Sequence, residues 1–171
     1  FAPDGWDNLK KWSETSGIRQ EMMLEAGLLS ESKGRVYDYF RNRIIFPIFD
    51  KNARVSGFTG RDFSGDAEAK KYFNTHETDA YHKGETLYGY NFARRTARER
   101  GYLHLVEGNP DVIRLHQIGV ANTVGTCGTS LTPSQIGAIK SLCASVTLIG
   151  DSDKAGKKAV ERSGDMLLKE G

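Results

Sequence analysis

The chain has 171 residues, enough for one ordinary domain or two small lobes, and 38% hydrophobic against 27% charged residues reads as a soluble globular protein. Lys and Arg number 24 against 22 Asp and Glu, so a net charge of +2 excludes bulk charge as a sign of nucleic-acid binding, and local clusters have to carry any such role. Cys127 and Cys143 make no zinc spacing with each other or with the four histidines, and read as buried thiols of a reducing compartment. No stretch is long and apolar enough to span a bilayer, and no secretory leader is recognisable. The chain opens at Phe1-Ala2-Pro3 without an initiator Met and stops inside a predicted helix, which suggests an excised fragment.

Two short helices are predicted first, over Asp7 to Glu14 and Arg19 to Ala26, with Gly27 ending the second. Arg43 to Phe49 reads as a strand, Asp50-Lys51-Asn52 as a turn and Ala53 to Thr59 as the return strand of a hairpin. Pro47 marks an edge or a bulge. Basic residues bracket the hairpin at Arg41, Arg43, Lys51, Arg54 and Arg61, and continue at Lys70, Lys71 and Lys83. Aromatics lie between them at Phe40, Phe58, Phe63, Tyr72, Phe73 and Tyr81. Such interleaving suits phosphate contact and base stacking on a single strand. Composition alone favours the plainer reading of a solvated lobe with ordinary core aromatics.

Glu85 to Arg100 is predicted as a helix ending near Gly101, with Arg94, Arg95, Arg98 and Arg100 on a solvated face. A regular alternation then begins. Tyr102 to Val106 reads as a buried strand and Pro110 opens a helix to about Ile118. Val120 to Val124 is a second strand, Thr132-Pro133-Ser134-Gln135 a capping-box start to a helix ending near Ala144, and Val146 to Ile149 a third strand, also read as buried. A last helix runs from near Lys154 towards Lys169. Apolar strands alternating with helices predict a small doubly wound parallel sheet with right-handed crossovers, preceded by a small α+β lobe with a β-hairpin.

Chemistry in such sheets gathers beyond the carboxyl ends of the strands. Glu107 and Asp151 fall at two such ends, with Asp111 and Asp153 close behind. Two unit charges ~4 Å apart repel by roughly 4 kcal/mol at an effective dielectric near 20. A carboxylate cluster is therefore expected to need a hard divalent cation, and the four residues are read as one metal site for Mg²⁺ or Mn²⁺. For a lone Asp-x-Asp, turn-making and helix capping would suffice. The second acidic stretch at an equivalent strand end is what weakens that alternative.

Glu107-Gly108-x-x-Asp111, Gly128-Thr129-x-Leu131-Thr132 and Asp151-x-Asp153-x-Ala155-Gly156, each after a strand, resemble the Toprim pattern. Arg43 to Asp50, Gly57 to Arg61, Lys71 to Asn74, Glu77-Thr78, His82-Lys83-Gly84 and Leu87-Tyr88-Gly89 occur in the order and spacing of bacterial DnaG-type primases, as does Ala2 to Asp7. The resemblance covers nearly the whole chain. It implies part of a primase catalytic core, with a basic α+β subdomain over residues 1–100 and a Toprim domain over 101–171, each incomplete at its outer end. The implied activity is that of a cytoplasmic nucleotidyltransferase making short RNA primers on single-stranded DNA from ribonucleoside triphosphates. Glu107, Asp151 and Asp153 would be catalytic, and with Asp111 would ligate metal; Arg43, Arg61, Asn74 and Lys83 would hold template or nucleotide. Zinc would belong to a separate module, and a replicative helicase would be met through a region outside this chain. A DNA-cleaving Toprim nuclease or topoisomerase-like enzyme, and a non-catalytic Toprim binding module, are the alternatives. Asn109-Pro110 stands where Tyr-Met is common, Ser152 and Thr59 where Gly is usual, and Thr75-His76 in place of Ser-Pro, which suggests a divergent branch.

Overall fold

The structure is a computed structural model and describes residues 1–66, 68–128 and 130–170. By contacts the chain forms two compact units, Phe1–Ile48 with Val55–His82, and Phe49–Arg54 with Lys83–Gly171. The division thus falls between His82 and Lys83, whereas the motifs divide the chain near residue 100.

In the first unit, helices α1 (Asn8–Thr15) and α2 (Gln20–Glu25) form where their periodicity places them. Asp7 precedes α1 but makes no side-chain cap. The buried carboxylate of Asp38 does that work from a distance, accepting the N–H groups of Leu9 at 2.7 Å and Lys10 at 2.9 Å. Asp38 ends a hairpin absent from the sequence reading, β1 (Leu29–Ser32) with β2 (Arg35–Asp38), joined by Lys33-Gly34. Both turn residues have positive φ, 51° and 73°, as the tight two-residue hairpin turn requires. Lys is an unusual occupant of the first of these positions.

The predicted hairpin is β3 (Arg43–Phe49) with β4 (Val55–Asp62), and β5 (Tyr72–Asn74) adds to β4, in the order β3-β4-β5. Pro47 accordingly lies on an edge strand. The return strand runs three residues further than Thr59, because Gly60 and Arg61 pair with Phe73 and Tyr72 of β5. Among the described residues, Met23, Leu29, Phe40, Ile48 and Tyr81 are buried apolar residues of this unit.

The second unit opens with residues 83–89 and helix α3 (Tyr90–Arg100), five residues later than predicted. Gly89 holds φ 80°, outside the helical range, and Tyr88 instead exchanges both backbone hydrogen bonds with Gly125. Helix α3 buries Ala93 and Ala97, one turn apart, and leaves all four arginines exposed. The alternation that follows is β6 (Tyr102–Val106), α4 (Asn109–Gln117), β7 (Thr123–Gly125), α5 (Pro133–Lys140), β8 (Ser145–Ile149) and α6 (Lys154–Glu170). The sheet is parallel with order β7-β6-β8, so the first strand in sequence is the central one. Leu103, Leu105, Val124, Ile136, Ile139 and Leu142 make the core around it. The capping box predicted at Thr132 is formed in full, with both Thr132 and Gln135 reciprocating.

Candidate active site and nucleic-acid surface

Val106 at the end of β6 pairs with Gly125 of β7 on one side and Ile149 of β8 on the other. Glu107 and Gly150 therefore continue from paired positions and leave the sheet at the same edge. This register puts the Glu107–Asp111 and Asp151–Asp153 segments at one end of the sheet, and all four carboxylates are exposed there. The Asp111 carboxylate folds over Gly108: a side chain added at position 108 would bring its Cβ to 2.5 Å from Asp111 Oδ2. Asp111 thus lies against the residue that follows Glu107.

The second segment is held tightly against its helix. Asp153 Oδ1 accepts the Gly156 N–H at 2.7 Å, so this aspartate caps the first turn of α6. Gly156 is buried, and a Cβ there would run into the Asp151 backbone. A Cβ on Gly150 would lie 2.5 Å from Val160 Cγ2 and 3.1 Å from Gly156 O. Two glycines thus let α6 approach the turn that presents Asp151 and leave one oxygen of Asp153 for other work. Beside Glu107, a cavity of about 250 Å³ opens between the strand ends and α6, lined by Leu105, Leu148, Val160, Arg162, Ser163 and Met166 among others.

Among the described residues, no group of three or more His, Cys, Asp or Glu side chains is gathered closely enough to hold a metal ion. Mutual repulsion of unit charges accounts for carboxylates standing apart on an exposed edge. The donor set is nevertheless all oxygen and comes from two strand ends in register, which fits a hard divalent cation rather than a soft one. Thr129, in the predicted Gly128–Thr132 motif, lies outside the described residues.

In the first unit, β4 and β5 sort the predicted nucleic-acid residues by face. Arg61 pairs opposite Tyr72 and Thr59 opposite Asn74, so Arg61 and Asn74 share one face of the ribbon. Arg61 is exposed, with its guanidinium carbon 5.8 Å from the Tyr72 ring centroid. Gly60 and Phe73 lie on the other face, where the Arg43 side chain passes over Gly60 and onto the Phe73 ring. Arg43 is 7% exposed, donates from Nη1 to Gly60 O at 3.3 Å and Lys70 O at 2.9 Å, and stacks 4.0 Å from the Phe73 centroid. Its Nη2 lies 3.7 Å from Asp62 Oδ1. Burial is the largest influence on this guanidinium and lowers its pKa, partly offset by Asp62. The guanidinium is thus spent on β4, on the loop before β5 and on the Phe73 ring. A further cation, Arg41, stacks on Trp6 at 3.9 Å with Tyr37 at 5.3 Å, an arrangement that the scattered positions of the three residues had concealed.

Lys83, in the second unit, is half-buried at the start of a loop that α5 holds from below. Gln135 Nε2 donates to Lys83 O at 3.3 Å and Thr86 O at 2.7 Å, and Thr132 Oγ1 donates to Gly84 O. Sequence reasoning found the capping box but gave it no task beyond starting a helix. The available signal was the choice of Gln over Glu at position 135.

The family model described as the DNA primase catalytic core, N-terminal domain, matches residues 1–94, and the Toprim domain model matches residues 101–171. The chain belongs to the DNA primase catalytic core family. The DNA primase of Deinococcus radiodurans is 44% identical over 171 residues, covering 98% of this chain and 30% of that protein. The structure of the Aquifex aeolicus primase zinc-binding and RNA polymerase domains is 35% identical, with a TM-score of 0.90 over 100% of this chain and 42% of the other. A structure of the DnaG primase catalytic domain bound to ssDNA is 40% identical, with a TM-score of 0.80 over 94% and 50% of the two chains. The chain therefore spans about a third of the length of that curated relative. Its parallel sheet is the primase Toprim fold, and the β3-β4-β5 ribbon belongs to the primase amino-terminal core domain. No described helix of this primase-family chain is long and apolar enough to cross a membrane.

Proposed function

We propose that this chain is the part of a cytoplasmic primase that carries the acidic centre for RNA primer synthesis on single-stranded DNA. The observation that supports it most is the Val106–Ile149 pairing, which brings Glu107 and the Asp151–Asp153 turn to one sheet edge in a chain of this family. Glu107, Asp111, Asp151 and Asp153 would hold Mg²⁺ or Mn²⁺. Such an ion, when bound, neutralises phosphate charge and lowers the pKa of an attacking hydroxyl. Glu107, exposed at the end of the central strand, would accept the proton of a primer 3′-hydroxyl at its carboxylate. Asp153 contributes one oxygen while the other keeps the start of α6 fixed.

Arg61 and Asn74 offer a guanidinium and a carboxamide on one strand face, suited to phosphate oxygens and base edges of template or nucleotide. Arg43 supports that face from beneath by tying Gly60 and Lys70 together. Lys83 supplies a further cation for phosphate. Zinc would be bound by a separate module, and a replicative helicase met elsewhere in the full-length protein.

The full-length protein is expected to make primers from ribonucleoside triphosphates on a single-stranded template in Mg²⁺, to stop on chelation, and to resume with Mn²⁺. Synthesis that persists in excess chelator would remove the metal centre from the mechanism. Lys83→Ala is expected to weaken single-stranded DNA binding by about tenfold and to lower the slope of log affinity against log salt by roughly 0.7 to 1. An unchanged slope in a fluorescence-anisotropy titration would reduce Lys83 to a surface charge.

A further inference from the structure

We infer that Gln135 and Thr132 at the start of α5 are positioning residues for Lys83, holding the 83–86 loop through its carbonyls. The inference rests on the proposed role of Lys83 in phosphate binding.

A capping box asks little of its members. The Ncap hydroxyl accepts an N–H at N3, and the N3 side chain accepts the Ncap N–H. Both bonds are present, Gln135 N to Thr132 Oγ1 at 3.2 Å and Thr132 N to Gln135 Oε1 at 3.1 Å. Neither uses the hydroxyl proton of Thr132 or the two amide protons of Gln135. All three go to one short loop. Thr132 Oγ1 donates to Gly84 O, and Gln135 Nε2 donates to Lys83 O and Thr86 O. Two side chains thus take three carbonyls out of four consecutive residues.

Inventory separates this arrangement from simple helix capping. Glutamate closes a capping box as well as glutamine does. An ionised glutamate has no proton to donate, and its oxygens would face the Lys83 and Thr86 carbonyls. Gln135 is also 0% exposed, so each of its bonds is made in a desolvated setting where an unmet partner is costly. The loop is gripped at its far end too, where Tyr88 and Gly125 exchange backbone hydrogen bonds. Residues 83–88 are therefore held by α5 at one end and by the last residue of β7 at the other. The cation at position 83 rides on the sheet that carries Glu107.

The test uses the full-length protein and a labelled single-stranded oligonucleotide. Gln135→Met fills the same volume without hydrogen bonds, and Gln135→Glu keeps the capping box. Both are expected to weaken binding roughly three- to tenfold and to lower the salt slope towards that of Lys83→Ala. In a Lys83→Ala background, Gln135→Met should add nothing further, because its effect passes through Lys83. Thr132→Val should behave like Gln135→Met, and Thr132→Ser should restore binding. Amide hydrogen exchange gives the direct readout: the 83–87 amides should lose protection in Gln135→Glu while those of α5 keep theirs. Unchanged protection at 83–87 overturns the inference whatever the binding result, as does full additivity of Gln135→Met with Lys83→Ala. If Lys83→Ala alone leaves affinity and slope untouched, the phosphate reading of Lys83 fails first, and the positioning role falls with it.

Discussion

Replacing Glu107 by Gln is expected to cut primer synthesis by the full-length protein by at least about 100-fold, the scale of a lost general base or charge-neutralising ligand. The substitution keeps shape and hydrogen-bonding reach and removes only the charge and the proton affinity. Glu107 is exposed and makes no contact on which the sheet depends, since the β6 ladder ends at Val106. Thermal stability should therefore hold within about 0.5 kcal/mol, as for other surface exchanges. Circular dichroism and a primer-extension gel decide the matter together. Full activity in a folded Glu107→Gln protein would take the proton-accepting role away from this residue.

The second large effect is one of stability. Arg43→Met is expected to destabilise the first unit by about 2–3 kcal/mol, because it strips a charged donor from two carbonyls and a cation from an aromatic face. For a chain of this size, the melting point should fall by roughly 5–10 °C. Arg43→Lys should recover little, since one ammonium cannot span Gly60 O and Lys70 O while lying flat on Phe73. A melting point that does not move, combined with weaker DNA binding, would mean that Arg43 reaches outward to phosphate and that its buried pose is incidental. The distinction matters because an arginine among basic residues and aromatics reads as a phosphate ligand in sequence, and only burial reveals one that is spent internally.

Much of the second unit could be read in the chain directly. Its strands are closed by Gly or acidic residues, and helices α4 and α5 start with Pro, so local preference and final fold largely agree there; β7, however, begins only at Thr123, and β8 alternates exposed with half-buried residues where a buried run was expected. The Asp-x-Asp turn after β8 and the glutamate after β6 were placed correctly at strand ends for the same reason. What the sequence hid were the features made by distant partners. Helix α3 loses its first turn because Tyr88 pairs with Gly125, 37 positions away, and Gly89 turns out of the helix. The β1–β2 hairpin escaped notice because its turn is Lys-Gly, where Asn-Gly or Asp-Gly would have been the cue. Asp38 caps a helix that begins 30 residues earlier, which no local pattern announces. At the acidic edge, sequence order could establish which strands end in carboxylates. It could not establish that Asp153 shares its oxygens between a helix cap and the open edge.

The sheet order has a consequence for how the protein is made. Strand β6 leaves the ribosome before either of its neighbours, and Ile149 follows Glu107 by 42 residues. At bacterial synthesis rates, about 2–8 s pass in which one flank of that central strand has no partner. A nascent chain in this interval exposes an apolar edge fit for wrong pairing, so a chaperone or a slowed stretch of translation would be most useful there.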